Sequence, residues 1–164
     1  MRAVLLVVLL LAACTGASPS PSPSAEPVRV LGQGLWLPTV EHLGVAAATT
    51  QTEYDAMWAD ADRSASPPPV DFETEIALFL GMAGSSSCPE EFLGLVVDAE
   101  ASLVHGSWRQ RAGNVACTDD LQPQGVLLAV SRAALPPSQF LLSLREQAIC
   151  SDCSDHPDQT VVTL

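Results

Sequence analysis

Hydrophobic residues in this chain come in short bursts, and their spacing changes from period two to helical spacing at one place. Val28 to Val30 and Leu35 to Leu37 form two small apolar groups around Gly32 and Gly34, which predicts short entry strands. Leu43 to Thr49 is a run of apolar and small residues that reads as a further strand. Thr50-Gln51-Thr52-Glu53 then fits a capping box, with Thr50 as N-cap and Glu53 three positions on. Tyr54, Met57, Trp58 and Ala61 follow at i, i+3, i+4 and i+7, so one amphipathic helix is predicted from Gln51 to Ala61. An aromatic stripe at helical spacing is read as the face that packs on a sheet.

Beyond the helix the period returns to that of strands. Pro67-Pro68-Pro69 stops the helix and favours extended backbone. Ile76 to Met82 is a continuous apolar run bounded by Gly, which predicts a strand buried on both faces. Gly84 to Ser87 reads as a turn, and Phe92 to Asp98 as the next strand. Leu103 to Arg111 alternates, with Leu103, His105, Ser107 and Arg109 on one face and Val104, Gly106, Trp108 and Gln110 on the other. Gly113-Asn114 marks a turn. Val126 to Val130, Phe140 to Leu144 and Thr160 to Val162 complete the strands, with a break at Pro136-Pro137. Short strands at this spacing around one helix predict an α+β domain, mostly antiparallel sheet, over residues 28–164.

Two segments ahead of Val28 belong to neither period. Ala3 to Ala13 is an unbroken run of 11 apolar residues behind Arg2. A bilayer span needs about 20 residues, so this run reads as the apolar region of a secretory signal over residues 1–13. It ends in Leu11-Ala12-Ala13-Cys14, which resembles the box of bacterial lipoprotein signals: aliphatic, small, small, Cys. That resemblance implies that Cys14 takes a diacylglyceryl thioether, becomes the mature N-terminus and is acylated. The expected partner of Cys14 is then a lipid bilayer, and the expected address is the extracytoplasmic face of the cell membrane. Residues 14–27 form the tether, including Ser18-Pro19-Ser20-Pro21-Ser22-Pro23-Ser24. Alternating Ser-Pro cannot bury apolar surface and has few backbone donors, so a disordered, extended spacer is expected. At ~3.1 Å per residue, the 13 residues from Thr15 to Pro27 would reach about 40 Å.

Composition sharpens this picture. The 7 basic residues are all Arg and face 19 acidic ones. Without Arg2, 6 basic residues remain against 19, a net charge of −13. Such a chain is a poor ligand for nucleic acid, and no nucleic-acid partner is expected. The apolar share of 48% leaves enough Val, Leu, Ile and Phe for a core.

Besides Cys14 there are Cys88, Cys117, Cys150 and Cys153. An even number in an exported domain reads as disulfides, and four cysteines allow three pairings. The preferred pairing is Cys88 with Cys117 and Cys150 with Cys153. The first closes a 30-residue loop and clamps the turn after the buried strand to the loop before Val126. The second closes only four residues and adds little stability. A chemical alternative lies in Cys150 to Asp158. Cys150, Cys153, His156 and Asp158 include the donor types zinc requires, and Cys150-x-x-Cys153 has the spacing of a redox pair. An oxidising compartment and the lack of a strand–CxxC–helix context favour the structural disulfide.

Catalytic motifs are absent from the sequence: no G-x-S-x-G, S-x-x-K or H-E-x-x-H occurs, and no Gly-rich phosphate loop follows a strand. No cofactor is expected. Ser85, Ser86 and Ser87 offer hydroxyls in a turn, and His105 with Ser107 and Arg109 offers a polar strand face; both read more simply as loop and solvated surface. The order of elements adds one further resemblance. Tyr54-Asp55-Ala56-Met57-Trp58 on a helix precedes Pro69-Val70-Asp71-Phe72 and an apolar strand ending at Gly81. From Leu43 to Leu144 this resembles the domain of the PrcB-type protease-complex subunit and related exported bacterial proteins. Where that domain often carries a Thr-Gly-Gly-Tyr-like turn, this chain has Gly84-Ser85-Ser86-Ser87-Cys88. The resemblance implies an accessory, protein-binding envelope module. The competing expectations are an envelope enzyme, hydrolytic or using Cys150 and Cys153 for thiol redox, and a metal-binding module at Cys150 to Asp158.

Overall fold

A computed structural model describes residues 26–34, 43–60, 66–110, 116–120, 122–146 and 158–164. The signal, the tether up to residue 25 with Cys14, the 35–37 strand, His42, the turn at Gly113-Asn114 and the Cys150–Cys153–His156 stretch lie outside the described residues.

Two four-stranded sheets carry the fold. The first has the order β1-β6-β3-β2, with β1 at Val28–Gly34, β2 at Gly44–Ala48, β3 at Glu75–Gly84 and β6 at Gln122–Ser131. The second has the order β4-β5-β7-β8, with β4 at Glu90–Asp98, β5 at Leu103–Gln110, β7 at Gln139–Ser143 and β8 at Gln159–Thr163. All pairs are antiparallel except β5 with β7. That parallel pair arises because the chain leaves β6 through a one-turn 3-10 helix, Arg132–Ala134, and enters the second sheet beside β5. The fold is therefore α+β and mostly antiparallel sheet, as the strand-length bursts predict.

Alternation along β3 explains the layers. Ile76, Leu78 and Leu80 pair with Val130, Leu128 and Val126 of β6 and are fully buried between the sheets. Val104, Phe140 and Leu142 meet them from the second sheet. Ala77 and Phe79 point the other way, under α1 (Gln51–Asp60), where Tyr54 and Trp58 cover them. The continuous apolar run of β3 thus serves two cores, one on each face.

The helix starts where the capping box places it. Glu53 N donates to Thr50 Oγ1 at 3.3 Å, and Glu53 Oε2 accepts from Thr50 N at 3.1 Å and Thr49 N at 2.7 Å. The aromatic stripe packs, as its spacing suggests. Tyr54 is 1% exposed, lies 5.7 Å from the Phe72 ring, and donates its hydroxyl to Pro68 O at 3.1 Å. The Pro-rich strap is thereby pinned across the helix.

Several strand boundaries differ from the expectation, β1, β3 and β6 most. β1 runs through Gly32 to Gly34 as one strand, with a register shift between Val30 and Gly32. Gly84 ends β3 and is paired with Gln122, so the predicted turn begins only at Ser85. β6 begins at Gln122, four residues before its apolar run, because β3 is long enough to pair with those polar residues. In β4 a bulge falls between Phe92 and Gly94, and Gly94 takes φ 149°, a conformation glycine tolerates and side-chain-bearing residues rarely adopt.

Candidate functional site

The two sheets open at one end. Here β1 and β3 finish, and β4 and β6 begin. The turn between β3 and β4 is held by Cys88 and Cys117, whose sulfurs are joined at 2.05 Å with Cα atoms 5.5 Å apart. Cys88 is buried, and the bond ties this turn to the loop before β6, as the spacing suggests. Around it lies a hydroxyl cluster. Ser85 Oγ is 2.9 Å and Ser87 Oγ 3.0 Å from Thr118 Oγ1, and Ser87 Oγ accepts from Thr118 N at 2.9 Å. Asp120 accepts from Ser86 N at 3.3 Å and from Thr118 Oγ1. Bonds from Ser86 and Thr118 hold the Asp120 carboxyl below its ordinary range.

This arrangement is a hydrogen-bonded staple between the turn and the loop before β6. The hydroxyls of Ser85 and Ser87 are spent on one another and on Thr118, and among the described residues no histidine bonds any of the three serines. The His105 face is also dispersed. His105, Ser107 and Arg109 do share the outer face of the second sheet. Yet His105 is 8% exposed with Nδ1 donating to Gly106 O at 3.2 Å, while Arg109 pairs with Glu91 at 2.6 Å. Among the described residues no group of three or more His, Cys, Asp or Glu is placed to hold a metal ion. Nor is any helix among them long and apolar enough to cross a membrane.

What the open end does contain is a cleft of about 320 Å³. One wall is the end of β1, Gln33 and Gly34, with Gln124 and Gly125 beside it on β6. The opposite wall is Pro89, Glu90 and Glu91 at the start of β4, with Trp108 of β5 behind. Both carboxylates are paired, Glu90 to Arg145 at 2.7 Å and Glu91 to Arg109 at 2.6 Å. Arg145 also lies 3.8 Å from Met82 Sδ, which fixes it against the core.

Two side chains define the chemistry. Trp108 Nε1 donates to Leu144 O at 2.9 Å, and its ring meets Phe92 edge-on with centroids 5.1 Å apart. The indole is therefore held in one orientation, with its only donor used. Gln124 is 5% exposed, and its Nε2 has no hydrogen-bond partner among the described residues. A buried amide without a partner carries a desolvation cost of about 1–3 kcal/mol.

Each of these side chains lies over a glycine. A Cβ built on Gly84 would overlap Gln124 Nε2, and one built on Gly106 would overlap Trp108 Nε1 and come within 2.9 Å of Leu144 O. Neither glycine has a left-handed backbone, so space, not conformation, requires them. Sequence reasoning did not single out Gln124 or Trp108. The available signal was glycine inside a strand, which marks close approach.

Comparison with protein-family models, curated proteins and solved structures gives no match.

Proposed function

We propose that this chain is a lipid-anchored extracytoplasmic protein that works by binding, an accessory module of the cell envelope. Acylated Cys14 holds it to the membrane, the Ser-Pro tether lifts it off, and the folded part recruits a partner. One observation carries the reading. β1 begins at Val28, directly after the tether, and ends at Gly34 in the cleft wall. At ~3.3 Å per residue this strand separates attachment from cleft by about 20 Å. The cleft wall thus lies at the end of β1 remote from the tether, which supports the reading.

Other features support it. The Cys88–Cys117 bond suits an oxidising compartment. The serine turn is consumed by its own hydrogen bonds, which weakens the hydrolase alternative. The resemblance in element order to the PrcB-type domain favours an accessory role with a protein partner.

The test is fractionation of cells producing the full chain or its Cys14→Ser variant. The wild type should stay with the membrane through salt and carbonate washes, and the variant should be released. A wild type recovered from the cytosol would overturn the proposal. So would a variant that remains acylated and membrane-bound.

A further inference from the structure

The cleft is specific enough to say what it takes. Its polar side chains are planar amides and carboxylates, and its apolar surface is the Trp108 indole with the Pro89 ring. Gln124 Nε2 needs an acceptor, which no described residue supplies. Glu90 and Glu91 already have their cations in Arg145 and Arg109, so they accept hydrogen bonds without demanding a charged ligand. Trp108 has its N–H committed and offers only its ring. A volume of about 320 Å³ stands at the small end of ligand sites, which run from about 300 to 1,000 Å³.

These demands converge. The ligand is neutral, carries oxygens that both donate and accept, and has a flat apolar patch to stack on an aromatic ring. A blocked alanine peptide offers both acceptors and donors, but it has no ring to lay flat on the indole. An anionic polymer would meet a strongly acidic chain. We infer that the cleft between the end of β1 and the start of β4 binds a neutral sugar chain, one ring resting on Trp108 and one sugar oxygen accepting from the Gln124 amide.

The glycan's natural source rests on the extracytoplasmic reading above, since envelope polymers are what an anchored protein meets there. The binding itself does not, and the two fail separately. The experiment uses the full chain purified in detergent micelles. Three neutral tetrasaccharides (chitotetraose, maltotetraose and mannotetraose) are titrated by calorimetry and by NMR of the Gln side-chain amides and Trp indoles. An uncharged tetra-alanine peptide blocked at both ends is the control. At least one sugar should bind saturably and shift the Gln124 amide and Trp108 indole signals. Gln124→Leu should weaken that binding about tenfold, the effect of one lost hydrogen bond of roughly 1.4 kcal/mol. Trp108→Ala should abolish it, while Trp108→Phe, which keeps a ring, should retain part of it. Gln124→Leu removes an unpaired buried group and should fold at least as well as the wild type, so its loss of affinity reports the site. Failure of all three sugars to saturate overturns the inference. So does binding untouched by Gln124→Leu, or a tetra-alanine peptide that binds where the sugars do not. Lack of lipid on Cys14 would leave this result standing and remove only the address.

Discussion

Gln124 lies over Gly84: the glycine ends β3 paired with Gln122, and the Gln124 amide, two residues further along β6, occupies the space a methyl group would fill. The pair sits at the mouth of the sandwich, where Gln124 Nε2 is buried without a partner. Gly84→Ala should push the amide aside and cost about 1–3 kcal/mol, the usual penalty of overpacking. Gln124→Leu should do the reverse and stabilise by about 1 kcal/mol, because it removes the desolvated donor. Urea unfolding of both variants checks the pair. A stabilised Gly84→Ala would mean the amide moves at no cost.

The Cys88–Cys117 bond closes the largest loop the cysteines define on the described residues. By the chain-entropy account a 30-residue loop contributes about 3 to 4 kcal/mol. Cys88→Ser with Cys117→Ser should lower stability by that order and loosen the Ser85–Ser87 turn. Thermal melts measure the first. Hydrogen exchange at Thr118 N and Ser86 N, both donors within the staple, measures the second.

Acid should loosen the start of the helix. The bonds from Thr49 and Thr50 hold the Glu53 carboxyl below its ordinary value of 4.5. A lowered folded-state value means the ionised cap stabilises the fold fully above 4.5, and that this contribution is lost as pH falls through the lowered value. Glu53→Gln should therefore flatten the stability profile in that acid window and cost about 0.3 kcal/mol at neutral pH, the low end for an exposed carboxylate at a helix N-terminus, because Gln also serves at this position of a capping box. Denaturant unfolding from pH 7 down to pH 3 for both proteins gives the comparison.

Tyr54 ties the helix to the Pro-rich strap through its bond to Pro68 O. Burial raises its phenol above the ordinary value of 10.0. A raised folded-state value means stability is full below 10.0 and declines as pH climbs through the higher value. Tyr54→Phe should cost about 0.5–1.5 kcal/mol at neutral pH and remove this alkaline sensitivity. Alkaline unfolding of the two proteins, followed by far-UV circular dichroism, tests both.

Much of the fold was legible because each signal was local. The capping box at Thr50 and Glu53 and the stripe of Tyr54 and Trp58 specify a helix without reference to the rest of the chain. The apolar run from Ile76 announces a strand with two buried faces, and Cys88 and Cys117 carry a spacing that permits a bond. The division into two sheets was not legible, because it depends on which strands meet across long loops. The parallel pairing of β5 with β7 is of that kind. The cleft was hidden for the same reason. Gln33, Glu90, Trp108 and Gln124 come from four strands, and no spacing along the chain unites them. Gly84 reads in the sequence as the opening of a turn and Gly106 as one position of a strand, and neither shows which side chain lies over it.

The account stands on Cys14 more than on any other residue, and one mass measurement tests it. Protein is taken from the membrane fraction and digested with trypsin, which cleaves after Arg29. The account predicts a peptide that begins at Cys14, ends at Arg29 and carries a diacylglyceryl thioether. A peptide from Ala3 to Arg29 with a free thiol at Cys14, from protein found in the cytosol, would contradict it.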